Sequence, residues 1–401
     1  MKMSLWIKYS VLNICFILIF ELLACGQQKK QAVICGADNT LEYIKSLENK
    51  NVAVVANQAS RIGNEHLVDF LLGRGILIKK FFSPEHGFRG DADAGEKFKN
   101  YKDKKTGLPI VSLYGKHYKP SVTDIKGIDV IVFDLQDVGV RFYTYISTLH
   151  YVMEICAEEN IPLIVLDRPN PNAYYIDGPV LEKRYRSFVG MHPVPVVYGM
   201  TIGEYAKMIN GEGWLRSGIH CSLTVIPCIN WSRDSIYSLP VKPSPNLPNS
   251  LAVALYPSLC FFEGTVVSVG RGTDFPFQCY GHPLMKKGDF SYQPRSISGV
   301  SKYPKFEKQK CYGKDLRSIN LKHLRKRKEI NITYLIDAYR HLGDKTKFFN
   351  AFFKNLAGTE KLREQIESGL SEEGIRKNWQ KDIQAFKNIR KKYLIYPDYT
   401  D

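Results

Sequence analysis

"DVIVFDLQDVGVRFYTYISTLHYVMEICAEENIPLIVLDRPN", Asp129–Asn170, holds two apolar runs of strand length, 129–137 and 161–167, around a segment, 143–160, that reads as a helix. Strands joined by a crossover of that length pair in parallel. Their β-branched, almost unbroken apolar character predicts burial on both faces. Working outward, "NVAVVAN" (51–57), "GILIKKFF" (75–82), "PIVSLYG" (109–115) and "CSLTVIP" (221–227) read as further strands, with helices over 64–75 and 201–215. Strands alternating with helices predict an α/β, Rossmann-like, mostly parallel sheet covered on both faces. The prolines of "LPVKPSPNLPNS" (239–250) break regular structure and set a domain boundary near 250. Beyond it, "EGTVVSVGRGTDFPFQCYGHP" (263–283) is rich in strand formers and turns, and 348–369 and 371–396 read as helices. The expected organisation is therefore a domain over 40–250 followed by a smaller α+β domain over 251–401.

The length of 401 residues suits two domains, and a hydrophobic fraction of 44% with 24% charged residues is globular. The formal charge of +16 is concentrated in "LKHLRKRKE", "EKFKNYKDKKTG" and "FKNIRKKY". No helix-turn-helix, zinc-finger or RNP-like pattern accompanies them, so no nucleic-acid partner is expected. At the N-terminus, Lys2 and Lys8 precede "YSVLNICFILIFELLAC", an apolar run too short to span a bilayer comfortably and suited to a secretory signal. "LLAC" resembles the bacterial lipobox, making Cys25 the expected lipidation site, residues 1–25 a signal peptide and 26–39 a tether. An uncleaved signal anchor is the alternative, given Glu21 inside the run. The expected location is the cell envelope, exported and lipid-anchored. None of the nine cysteines forms a CxxC pair, so neither zinc nor a redox motif is signalled. A Cys221–Cys228 disulfide fits an oxidising compartment, but nothing in the spacing calls for it.

Ligands of open parallel sheets bind beyond the carboxyl ends of the strands. Here those ends carry Asn57, then Glu85 and His86 in "SPEHGFRGD", then Tyr114, then Asp134, Gln136 and Asp137, then Asp167, Arg168 and Asn170. Pro84 and Gly87 frame Glu85 with a fixed and a permissive backbone. Singly, each acid has an ordinary structural explanation as a cap or an ion pair; together they mark a site. There is no G-x-G-x-x-G after the first strand, no P-loop, no G-x-S-x-G elbow and no H-E-x-x-H. A nucleotide cofactor, a serine nucleophile and a defined metal site are thus not signalled, and no cofactor is expected. Metal binding by Glu85, His86, Asp134, Asp137 and Asp167 is a rival without a specific spacing.

Seven ordered blocks, "SPEHGFRG", "DLQDVGVRFYTY", "DRPNP", "VYGMTIGEYAKMINGE", "SPNLPN", "YPSLCFFEGTVVSVGRGTDFPFQ" and "GIRKNWQKDIQAFKNIRKKYLIY", resemble the NamZ-type exo-β-N-acetylmuramidases, long catalogued as a domain of unknown function. The resemblance runs from about residue 40 to the C-terminus. It implies a Rossmann-like domain, a smaller C-terminal domain, a cleft between them, and release of terminal non-reducing N-acetylmuramic acid from peptidoglycan fragments. Glycoside hydrolysis usually needs two carboxyl groups. The resemblance makes Glu85 the acid, supported by His86, while Asp137 and Glu263 lead as its counterpart, followed by Asp134 and Asp167. Arg141 or Arg271 is expected to read the lactyl carboxylate bidentately. Tyr143, Tyr145 and Phe275 are expected to stack on sugar faces. The substrate's own acetamido group as nucleophile is a further option. A binding lipoprotein that captures muropeptides without turnover, and a metal-dependent hydrolase of cell-wall fragments, are the alternatives.

Overall fold

The computed structural model describes residues 31–85, 87–89, 101–285 and 288–399. Seven strands form the principal sheet: β1 (Val52–Ala56), β4 (Ile78–Ser83), β5 (Tyr101–Lys102), β6 (Pro109–Ser112), β7 (Val130–Asp134), β8 (Leu163–Leu166) and β9 (Leu223–Ile226). Their order is β5-β6-β4-β1-β7-β8-β9. All pairings are parallel except β5 with β6. A two-stranded ribbon, β2 (Arg61–Ile62) and β3 (Glu65–His66), follows β1.

Alternate residues of each strand feed opposite cores. Val52, Val54, Val130, Val132, Ile164 and Leu166 pack with Leu67, Val68 and Leu71 of the helix Leu67–Gly73. Ala53, Val55, Ile131, Phe133, Leu163 and Val165 pack with the helices Tyr145–Glu158 and Ile202–Gly211. Because both faces are covered, the strands read in sequence as continuous apolar runs.

The second of these cores continues without interruption into the C-terminal half, through Phe261, Phe277, Tyr280, Leu335, Phe353, Leu356 and Trp379. Residues 34–401 form one compact unit. The C-terminal half contributes a three-stranded antiparallel sheet, with β12 (Cys311–Asp315) between β10 (Cys279–His282) and β11 (Phe290–Tyr292). Its helices include Ser250–Leu259, which the proline at 257 obscured in the sequence, and Thr333–His341, Phe353–Ala357 and Gln380–Arg390. Cys221 and Cys228 are free and buried, as are the other described cysteines.

Arg141 ties the halves together. Its guanidinium is completely buried and donates to the carbonyls of Pro179 and Val194, each at 2.7 Å, and of Leu356 and Ala357 at 2.9 and 2.8 Å. The last two are the final carbonyls of the helix Phe353–Ala357, which lack intrahelical partners. Burial without a carboxylate pulls the Arg141 pKa down to about 9. The guanidinium expected to read a substrate carboxylate is therefore turned to main-chain carbonyls instead. Arg141→Met, of similar length and without donors, should lower unfolding stability by about 3 kcal/mol or more, since several buried carbonyls lose their partners together. Chemical denaturation checks this, and an unchanged midpoint would remove the clamp from its role.

Candidate active site

The chain runs from β1 outward through β4 and β6, then returns to lay β7 on the other side of β1. Such a reversal leaves a crevice at the carboxyl ends of the strands on either side of it. The loops after β4, β6 and β7 line a cleft of about 790 Å³ there, and residues of the C-terminal half form its opposite wall.

Glu85 sits on the first wall. The Gly87 N–H donates to the Pro84 carbonyl at 3.3 Å, closing a turn whose glycine has φ of 81°. That turn presents Glu85 to the cleft, where Thr144 Oγ1 donates to its Oε2 at 3.3 Å. Tyr114 stands close enough that the Glu85 charge adds to burial in pushing its phenol above the ordinary range. His86 lies outside the described residues.

Glu263 and Arg271 form the facing wall. Arg271 Nε donates to both carboxylate oxygens of Glu263, at 3.1 and 3.2 Å. Among the described residues the Nη atoms of Arg271 have no hydrogen-bond partner, and the guanidinium lies 5.0 Å from the centre of the Phe277 ring. Flanking Gly270 and Gly272 have φ of 77° and 80°; a Cβ on the first would fall 2.6 Å from Cys279 Sγ, on the second 2.6 Å from the Arg295 carbonyl. The "GRG" backbone thus needs both glycines to hold its arginine in place. Lys305 Nζ donates to the Thr265 carbonyl at 2.8 Å just beside this pair. Burial would raise the Glu263 carboxyl, but the charges of Arg271 and Lys305 outweigh it and hold the group below its ordinary value. Among the described residues lining the cleft, Glu85 and Glu263 are the carboxylates.

Most of the other expected site residues lie behind these walls, while Tyr143 and Tyr145 also line a smaller space beside Glu85 and Arg271. Asp134 is fully buried and accepts from Arg168, whose Nη2 approaches Oδ2 at 2.8 Å. Asp167 accepts from Thr201 Oγ1 (2.7 Å), the Gly203 N–H (2.8 Å) and Tyr396 Oη (2.6 Å), so it joins the start of the helix Ile202–Gly211 to the chain's C-terminal segment. Burial pushes its carboxyl up to about 6. Gln136 donates to the Asp137 and Pro169 carbonyls, and Asn170 donates to the Met200 carbonyl. Asn57 donates to Tyr145 Oη at 2.7 Å, fixing the tyrosine that leads into the helix. Tyr143 donates to the Pro243 carbonyl at 2.6 Å. Phe275 packs in the small sheet against Phe290 and Tyr292, with Arg317 4.3 Å from its ring centre. Its neighbour Phe277, not Phe275, lies at Arg271. Among the described residues no three His, Cys, Asp or Glu side chains are grouped to hold a metal ion.

Several cleft residues carried no signal in sequence. Tyr118 and Phe188, far apart along the chain, stack with ring centres 3.9 Å apart and line the cleft beside Tyr114. Tyr256 hides in an apolar helix. Thr144 and Asn246 are small polar residues whose role depends on tertiary placement alone.

These features define an α/β protein with a two-carboxylate cleft at the reversal point of a parallel sheet, closed by a C-terminal half that shares its core. The chain belongs to the exo-β-N-acetylmuramidase NamZ family: the N-terminal family description matches residues 52–251 and the C-terminal one residues 254–396. It is 38% identical over 387 residues to the peptidoglycan β-N-acetylmuramidase NamZ of Bacillus subtilis, covering 92% of each chain. The crystal structure of a DUF1343 family protein from Bacteroides fragilis is similar, with a TM-score of 0.86 and 46% identity over 92% of this chain and all of that one. A second DUF1343 protein of the same organism gives a TM-score of 0.72 and 29% identity, over 91% of this chain and 99% of the other.

Asp137 differs from the other buried acids. Its Oδ2 accepts from the Gly139 N–H at 2.7 Å and from Tyr198 Oη, while Oδ1 is buried with no partner among the described residues. Burial raises its carboxyl to about 6. Between roughly pH 4, its unfolded value, and pH 6 the folded chain binds the extra proton. The stabilisation from this group is therefore complete below pH 4 and is lost as pH rises through about 6. Asp137→Asn keeps an acceptor for Tyr198 and Gly139 without the charge. It should flatten the fall in Tm between about pH 4 and 6, and an unchanged slope would contradict the assignment.

Proposed function

We propose that this protein is an exo-acting glycoside hydrolase that releases terminal, non-reducing N-acetylmuramic acid from peptidoglycan fragments. The observation that carries the reading is the pairing, across one cleft, of Glu85 with a Glu263–Arg271 ion pair whose terminal guanidinium nitrogens have no partner among the described residues. Membership of the family supports it. N-acetylmuramic acid differs from N-acetylglucosamine by a lactyl carboxylate, and a guanidinium with its Nη edge open is the group that reads a carboxylate bidentately. Glu263, beside it in the cleft wall, holds that guanidinium through its Nε.

Glu85 is the general acid for the leaving oxygen. Glu263, held ionised by Arg271 and Lys305, is the second carboxylate. Tyr114 and the Tyr118–Phe188 stack offer apolar faces to a sugar. A cleft of about 790 Å³ leaves room for more than one ring, so the sugar following the scissile bond is accommodated too. The reading also places the protein outside the cytoplasm, lipid-anchored through Cys25; "LLAC" behind a short apolar run supports this. Cys25 lies outside the described residues.

Purified protein should release chromophore from a 4-nitrophenyl β-N-acetylmuramide, with or without chelator. Loss of activity with chelator would favour a metal-dependent hydrolase, and binding of the sugar without release a capture protein. Glu85→Gln should lower kcat by at least about a hundredfold while binding persists. Arg271→Ala should erase the preference for the muramide over the corresponding N-acetylglucosaminide, and a preserved preference would reassign the lactyl contact. Wild-type protein produced in bacteria fed a labelled fatty acid should carry the label and Cys25→Ser should not; an unlabelled wild type would return the N-terminus to the signal-anchor reading.

A further inference from the structure

Next to Glu85 and Arg271 the site has a second, smaller chamber. The two residues line both spaces, as do Thr144 and Tyr256. The chamber measures about 70 Å³. That is under a tenth of the cleft's 790 Å³, a side chamber for a substituent of a few heavy atoms and not for a pyranose ring.

Its far wall is the proline-rich "SPNLPN" segment, Ser244–Asn249. Both ends of the segment are anchored. Tyr143 Oη donates to the Pro243 carbonyl, and Asn249 Oδ1 caps the helix Ser250–Leu259 by accepting from the Ala252 N–H at 2.9 Å. Asn246, 1% exposed, donates from Nδ2 to the Val300 carbonyl at 2.8 Å. A carbonyl accepts only from the NH2 side of an amide, so this bond fixes which way the Asn246 amide points. Its Oδ1 is then an acceptor, buried and without a partner among the described residues. Ser244 Oγ accepts from the Asn246 backbone N–H at 3.3 Å, which leaves its own hydroxyl proton to be donated. Leu247 and Phe277 supply apolar surface.

A buried acceptor without a partner is costly and repels anions. Its natural occupant carries an N–H. An acetamido group has one N–H donor, one carbonyl acceptor and one methyl, matching Asn246 Oδ1, the Ser244 hydroxyl and the Leu247–Phe277 surface in turn. We propose that this chamber is the N-acyl pocket of the site: it takes the 2-acetamido group of the sugar, with Asn246 accepting its N–H and Ser244 donating to its carbonyl. The lactyl carboxylate is left to Arg271. The inference rests on the glycosidase reading above and adds that the enzyme measures the length of the N-acyl chain.

The test uses wild-type protein and three nitrophenyl glycosides that all keep the lactyl group: N-acetyl, N-butanoyl and 2-hydroxy. The N-butanoyl substrate should fall at least about a hundredfold in kcat/KM, because two added carbons do not fit a chamber of this size. Asn246→Ala should lower kcat/KM on the N-acetyl substrate by about tenfold or more, the scale of one buried hydrogen bond. On the 2-hydroxy substrate it should change little. Equal turnover of the N-butanoyl and N-acetyl substrates, or an equal loss on all substrates in the variant, would overturn the proposal. If no glycoside is hydrolysed, the function fails separately. Calorimetric titration with free N-acetyl- and N-butanoylmuramic acid then still decides the pocket: tighter binding of the acetyl sugar supports it, and equal binding overturns it.

Discussion

Much of this structure depends on one buried guanidinium. Arg141 sits just after β7, inside the loop that the sheet's reversal leaves at its carboxyl edge, and serves four carbonyls from three distant segments. Surface ion pairs add little to stability, whereas a buried cation stripped of its partners is strongly unfavourable. The three segments that meet at Arg141 are therefore constrained jointly. The far wall of the cleft, carrying Glu263, packs on the helix whose last carbonyls Arg141 holds, and the Cβ that Gly264 lacks would overlap Phe353. Catalytic geometry across the cleft thus rests on an interaction that never touches substrate.

The sheet was plain in the sequence because both of its faces are buried, and every strand proposed between 51 and 227 has an observed counterpart that is shorter overall. The edge strand β5, two residues long, left no periodicity to read. The helix Ser250–Leu259 was obscured by Pro257, which tertiary packing accommodates within a buried turn. The proline-rich 239–250 segment read as a place where structure stops. It has no regular structure before Ser250, yet its middle, around Pro243, Ser244, Asn246 and Leu247, is buried against Tyr143 and helps to wall the site, and the two matched family descriptions meet just after it.

The site was legible as a location and less so as a set of roles. Strand ends collected polar side chains, but a carboxylate that closes a loop and one that faces a ligand have the same letters. Asp134, Asp167 and Asn170 satisfy backbone groups and neighbours where chain segments cross; Glu85 and Glu263 stand in the cleft wall. What separates them is burial and partner count, both products of tertiary packing. The Arg141 and Arg271 alternatives illustrate the same point: one guanidinium faces only carbonyls, and the other has a carboxylate beside it at Nε and its Nη nitrogens open.

The contact between Asp167 and Tyr396 also bears on the order of folding. Glu204, at the start of the same helix, accepts from the backbone N–H groups of Ile395 and Tyr396, and Arg390 donates to the Gly199 carbonyl. Acceptors near the end of β8 are thus completed by residues 191 to 229 positions further along the chain. Contacts of such long sequence separation form late, because the intervening loop must first be closed. Before the C-terminal segment docks, Asp167 still accepts from Thr201 and Gly203, and Glu204 pairs with Arg233, so the carboxyl edge is held but lacks its outermost partners. The segment around Tyr396 is therefore a strap laid over an edge already held, joining the two ends of the fold without being needed to build the sheet.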